Sequence, residues 1–321
     1  MSLSVEAIAE RYAISFNALS EIASAYYFQG QLDEALRLFQ AGEQWLSAQE
    51  VQPVDQMSFL LKYGQFLIHN YFLTNRDEDR MLSIVQRARQ AAETIQNEAG
   101  IASAFYLAGQ TRYYHNLLTG GSDYIEVRGF FEQASALSEK IAESRILAES
   151  LFYTGLTYER HGVETRAREY YQRVLEIAEQ HGYTWAASEA YRHLSGLSMS
   201  NDTIQSLEYA LKSLALREEM GFKRGLPPAQ LLVSDVYIAR NELARALEYC
   251  QQAEQLSIEM GLHFYIALTH LTRGEIAYKQ GKGAQAREHF EKAAALGREL
   301  NIAFPIMEAN EKLEMLARED M

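Results

Sequence analysis

The chain has 321 residues, with 30 Lys and Arg against 43 Asp and Glu for a net charge of −13. That acidity, with no polybasic cluster, argues against nucleic acid and an anionic membrane surface as partners. One cysteine excludes an intrachain disulfide and a cysteine metal site, and four prolines in a chain rich in Ala, Glu, Leu and Gln point to an all-α protein.

Residues 5–29 carry Ile8, Tyr12, Phe16, Leu19, Ala23 and Tyr26 at helical spacing, and Gly30 breaks the stripe. Asp33 and Glu34 open a second helix with Ala35, Leu38, Phe39 and Trp45, and Val51-Gln52-Pro53 closes the unit. The next two units are built on Gly64 and Gly109, with second helices marked by Met81, Val85, Ala88 and by Val127, Phe131, Ala134. Each has a run of about five or six extra residues, His69 to Thr74 and His115 to Thr119, which predicts one added helical turn ending at 75–77 and 120–123. From residue 145 the units are regular. Gly182, Gly221 and Gly261, each followed by an apolar or aromatic residue, read as left-handed helix ends, and Pro227-Pro228 suit a first helical turn. A last helix at 304–319 sets Ile306, Ala309, Leu313 and Leu316 on one face and charges on the other, as a cap requires.

These units repeat. Ser234-x-x-Tyr237, Asn241, Ala246-x-x-x-Cys250-x-x-Ala253 returns 40 residues on as Gly274-x-x-Ala277, Gly281, Ala286-x-x-x-Phe290-x-x-Ala293. Gly155, Tyr158, Gly162, Ala167, Tyr171 and Val174 form another copy; Ser195, Leu207, Leu211 and Leu214 give a degenerate one, and Ala23, Tyr26, Gly30, Ala35 and Phe39 the first. A hairpin of this kind cannot bury its apolar face alone and must stack on neighbours. The pattern resembles the tetratricopeptide repeat family, in a long-period form of about 40 residues. The resemblance implies a right-handed superhelical solenoid of about seven hairpins with a C-terminal capping helix, one domain over 1–321. Irregular repeats would cover 55–145 and regular ones 146–300.

No chemistry is legible beside that surface. There is no His-Glu-x-x-His, no phosphate loop, no nucleophile elbow and no carboxylate dyad, so no cofactor, metal or catalysis is expected. Cys250 fills the slot of Phe39, Tyr171 and Phe290 and reads as a core thiol, and His270 as a packed one. The resemblance implies that the first helices line a concave groove, offering Tyr27, Phe28, Tyr106, Tyr113, Tyr114, Glu149, Phe152, Glu159, Arg160, Glu189, Arg192 and Tyr278. Tyrosines and arginines are favoured interface anchors. The expected function is a protein- or peptide-binding scaffold, and predominantly acidic later units suggest a partner segment with net positive charge. The second reading is the ligand-sensing domain of a bacterial signalling regulator, and the third an enzyme like the aspartyl-phosphate phosphatases built on related repeats. Self-association into a homo-oligomer is compatible with either binding role. The N-terminal residues lack a basic segment and an apolar core, so no signal peptide is expected and the location reads as cytoplasmic.

Overall fold

The computed structural model describes residues 3–319, which form fifteen α-helices and a 3₁₀ turn at Lys223–Gly225, with no strand among the described residues. They run as seven hairpins: α1 (Val5–Gln29) with α2 (Leu32–Glu43), α3 (Pro53–Thr74) with α4 (Glu78–Thr94), α5 (Glu98–Thr119) with α6 (Tyr124–Lys140), and α7 (Ser144–Arg160) with α8 (Glu164–His181). Then come α9 (Thr184–Ser198) with α10 (Thr203–Glu219), α11 (Leu226–Ala239) with α12 (Leu243–Glu259), and α13 (His263–Lys279) with α14 (Gly283–Leu300). Last is α15 (Ala303–Glu319), whose Ala309 and Leu316 pack onto Ala286, Phe290 and Ala293 of α14. The all-helical, repeated-hairpin expectation holds, and so does the added turn. α3 and α5 each have 22 residues where α7 and α13 have 17, and they end before Asn75 and Gly120.

In three first helices the glycine anchor is required by contact. A Cβ added at Gly109, Gly155 or Gly274 would stand 2.7, 2.7 or 2.4 Å from the rings of Phe131, Tyr171 and Phe290. Each ring is fully buried, so it lies flat on the bare backbone of the partner helix. In the degenerate hairpin one of the three leucines read in the sequence falls off the packed face. The buried residues of α10 are Ser206, Ala210, Ser213, Leu214 and Arg217, with Leu207 packed against the same core, whereas Leu211 is 38% exposed. Ser195 and Ser206 exchange hydroxyl-to-carbonyl bonds of 2.8 and 2.9 Å, which holds α9 against α10 at a distance no Leu would allow. Trp45, expected on α2, lies in the turn after it and from there meets Tyr12 edge-on and Phe16 at a tilt.

The described residues cluster into two compact units. The first comprises 3–72, 76–114 and 124–154; the second comprises 73–75, 115–123 and 155–319.

Candidate functional site

In the first unit the first helices are joined by an amide–phenol ladder. Gln110 of α5 is fully buried. Its amide donates to the Tyr106 and Tyr153 hydroxyls at 2.9 and 2.8 Å, and its carbonyl oxygen accepts from Gln65 of α3 at 3.0 Å. Every strong group on this side chain is therefore paired, as a buried amide must be. Tyr114 and Tyr153 share a hydroxyl contact of 2.7 Å, and Phe72 packs on the Tyr114 ring at 4.7 Å. Tyr27 stacks on His69, itself bonded to Gln65 at 2.9 Å.

This sorts the aromatic residues expected in the groove. Phe28 is 38% exposed, and Tyr27 and Tyr114 are half-buried, so all three present surface. Tyr106, Tyr113 and Phe152 do not. They are 2–3% exposed, and Tyr113 is packed among the rings of Tyr114, Tyr124 and Tyr153. For these three the groove assignment is corrected to core. Repeat spacing places a residue near the groove, but with aromatic neighbours on both adjacent helices the ring turns inward. Glu149 is also enclosed, ion-paired with Arg145 at 3.1 Å. Burial raises its carboxyl and the Tyr106 phenol alike, with Arg145 opposing the shift on Glu149.

The second unit holds the denser constellation. Glu159 near the end of α7 accepts from the Tyr171 hydroxyl at 2.7 Å and from His193 Nδ1 at 2.9 Å. His193 Nε2 in turn takes a hydrogen bond from Arg192 at 2.6 Å, which fixes the ring as the neutral Nδ1–H tautomer. Burial and the adjacent Arg192 charge both lower the His193 pKa and keep it neutral. Glu189 on α9 receives Arg192 Nε and Nη2 on one oxygen, at 3.1 and 2.8 Å, and Arg217 of α10 on the other. Arg217 is 2% exposed and donates Nη1 to the Gly225 carbonyl at 2.6 Å, while its buried Nε has no hydrogen-bond partner among the described residues. Burial acts against charge on both carboxylates. The donors His193 and Tyr171 overcome it at Glu159, and Arg192 with Arg217 at Glu189, so each carboxyl is brought down to about 2.

The cluster is thus two ionised acids, two guanidiniums and a neutral imidazole, with almost every donor used. Two edges are left: the side chains of Glu159 and Arg192 are each 30% exposed, and Arg192 Nη1 makes no hydrogen bond among the described residues. A donor fixed on Nε and Nη2 but open on Nη1 suits the carbonyl or carboxylate of a bound segment at little entropic cost. Further along the same unit, Asp235 of α11 accepts from Thr272 of α13 at 3.4 Å, and Glu275 of α13 pairs with Lys312 of α15 at 3.0 Å. Burial, helped by Glu275, pushes Asp235 up to about 7. Arg160 is exposed, and Tyr278 is partly buried against the core beneath α15.

Sequence reasoning named Glu159, Glu189 and Arg192 but missed His193 and Arg217. A signal for Arg217 existed: it occupies the slot filled by Ala178, Ser257 and Gly297 in the neighbouring second helices, all buried. Cys250 is buried with its thiol pushed up to about 12, and His270 meets His289 at 3.2 Å between their Nδ1 atoms. Among the described residues no three potential ligands converge on a metal position, and no helix is long and apolar enough to cross a membrane.

The family model described as tetratricopeptide repeat matches residues 16–41, the latter half of α1 with most of α2. No curated protein sequence matches the chain. Among solved structures, a Rap protein complexed with Competence and Sporulation Factor is similar over 97% of this chain and 99% of its own, at 16% identity and a TM-score of 0.58. The Rap conjugation gene regulator of the plasmid pLS20, in complex with the Phr* peptide, is similar over 95% and 96%, at 13% identity and 0.58. The apo form of the quorum sensor NprR from B. thuringiensis is similar over 99% and 88%, at 11% identity and 0.52. With its hairpins, its small-residue anchors facing buried rings, and these likenesses, the chain is a protein of the tetratricopeptide repeat fold.

Proposed function

We propose that the chain binds a peptide, or an extended segment of another protein, on the first-helix face of the second unit, with no catalysis of its own. The observation that carries this reading is the cluster of Glu159, Glu189, Arg192, His193 and Arg217. It is held rigid by internal pairing yet leaves the Arg192 Nη1 edge open. Support comes from two similar structures described as complexes with Competence and Sporulation Factor and with the Phr* peptide. Arg160 and Tyr278 would flank the bound segment, and Tyr27, Phe28 and Tyr114 give the first unit an aromatic face of its own. The expected positive charge on the partner loses its basis, because Glu149, Glu159, Glu189 and Glu275 each face a cation or a strong donor. The open donor instead favours an acceptor on the ligand. Within this reading a sensing role in a signalling system ranks above a passive scaffold, since the similar proteins include a gene regulator and a quorum sensor.

The test is selection of binders from a displayed random peptide library, then fluorescence anisotropy with the best sequence. Arg192→Ala should weaken binding about tenfold or more, the usual cost of a lost hydrogen bond to a charged group. Substituting Arg87, which pairs with Glu43 on the first unit, should leave affinity unchanged. Enrichment of no peptide, or equal affinity for the Arg192 variant, would overturn the proposal.

A further inference from the structure

α1 carries an apolar stripe that nothing among the described residues covers. α1 buries Phe16, Ser20 and Ala23 on its inner side. Its outer side presents Ala7, Arg11, Ile14, Ala18, Ile22 and Ala25, spaced four, three, four, four and three residues, a single stripe on an α-helix. Ile14 is 61% and Ile22 49% exposed, and Arg11, Ala18 and Ala25 are exposed with them. α15 shows the contrast, since its outward stripe of Met307, Glu311, Glu314 and Arg318 carries one apolar side chain among charges, the mainly polar exterior that suits the end of a repeat array. A run of Ile and Ala with no cover is a docking surface rather than a solvated one.

The geometry points to a second copy of this chain as the occupant, with the two α1 helices packed antiparallel about a two-fold axis at the level of Phe16. The charges argue for it. Arg11 and Glu21 are both exposed, and neither makes an ion pair among the described residues. They stand five residues either side of position 16. In an antiparallel pair centred there, Arg11 meets Glu21 of the other copy, and the contact occurs twice because a two-fold interface repeats every pairing. The same register sets Ile14 against Ala18 of the other copy, also twice, so that a large side chain fills the space beside a small one. A parallel pair would put Arg11 on Arg11 and Glu21 on Glu21, and like charges facing each other disfavour it. The face is therefore self-complementary in one orientation. A single helix pair buries less than a standard interface of roughly 800 Å² per partner, so the dimer is a weak one that forms with rising concentration.

Sedimentation equilibrium on the full chain, taken into the high micromolar range, tests this. A monomer–dimer equilibrium is expected. Ile14→Glu should abolish it, and Arg11→Glu should weaken it about tenfold, by removing two attractive contacts and creating two repulsive ones. Arg11→Glu combined with Glu21→Arg should restore it. All these positions are exposed, and circular dichroism would verify that each variant is folded. A chain monomeric at every concentration would overturn the proposal, as would a dimer untouched by Ile14→Glu. A dimer lost with Ile14→Glu but indifferent to both charge changes would refute the antiparallel register.

Discussion

Glu189→Gln removes one charge from the centre of the ionic cluster while keeping the side chain's volume. In the native protein this carboxylate holds Arg192 on one oxygen and the buried Arg217 on the other. Its pKa of about 2, against an ordinary 4.5, states how strongly the surroundings favour the ionised form. At about 1.4 kcal/mol per pH unit this amounts to about 3 kcal/mol. Removing one member of a buried pair costs a similar amount, because the other charge stays in place without its counterion. Urea unfolding followed by circular dichroism at neutral pH should therefore show the Gln variant less stable by about 3 kcal/mol. The pH dependence has a definite sign. The folded pKa lies below the unfolded one, so the stabilisation is complete above pH 4.5 and is lost as pH falls toward 2. Wild type and variant should converge over that interval. A loss under about 1 kcal/mol at neutral pH, or a gap that stays constant down to about pH 3, would refute the claim that Glu189 anchors two guanidiniums.

Gly274→Ala should destabilise by about 1–2 kcal/mol despite alanine's better helix propensity, because its Cβ would sit 2.4 Å from Phe290. Gly196→Ala, with nothing within 4 Å, should stabilise by about 0.5 kcal/mol, and thermal melts of the pair would show opposite signs. Tyr113→Ala should cost about 3 kcal/mol or more by leaving a cavity among Tyr114, Tyr124 and Tyr153, as urea unfolding would measure. Cys250, buried with a pKa of about 12, should resist a colorimetric thiol reagent in the native protein and react fully in denaturant; rapid native labelling would contradict its placement.

The repeat made the hairpins legible. Gly155 and Gly274 mark close approaches, Ala167 and Ala286 the face that packs, and the eleven residues from Gly109 to Thr119 were long enough to reveal the added turn of α5. In the degenerate hairpin Leu207 and Leu214 pack as read, but Leu211 is exposed, and Ser206 and Ser213 are buried beside Ala210 where nothing in the sequence marked core. Hydrophobicity is a poor guide where two helices approach closely enough for serines to bond across. The site was half legible. First-helix spacing finds Glu159, Glu189 and Arg192, but their roles depend on His193 and on an arginine reaching back from a second helix. Tyr106, Tyr113 and Phe152 lie on first helices, yet which way a ring turns is decided by the neighbouring helices, which periodicity does not encode.

In the proposed function the second unit's first helices hold a bound segment around Arg192. Amide hydrogen exchange, with and without a library-selected peptide, measures this most directly. New protection is expected on α9, α11 and α13, with little change on α8, α12 and α14, and it should disappear in Arg192→Ala at the same peptide concentration. Protection confined to the second helices, or identical protection in the Arg192 variant, would contradict it.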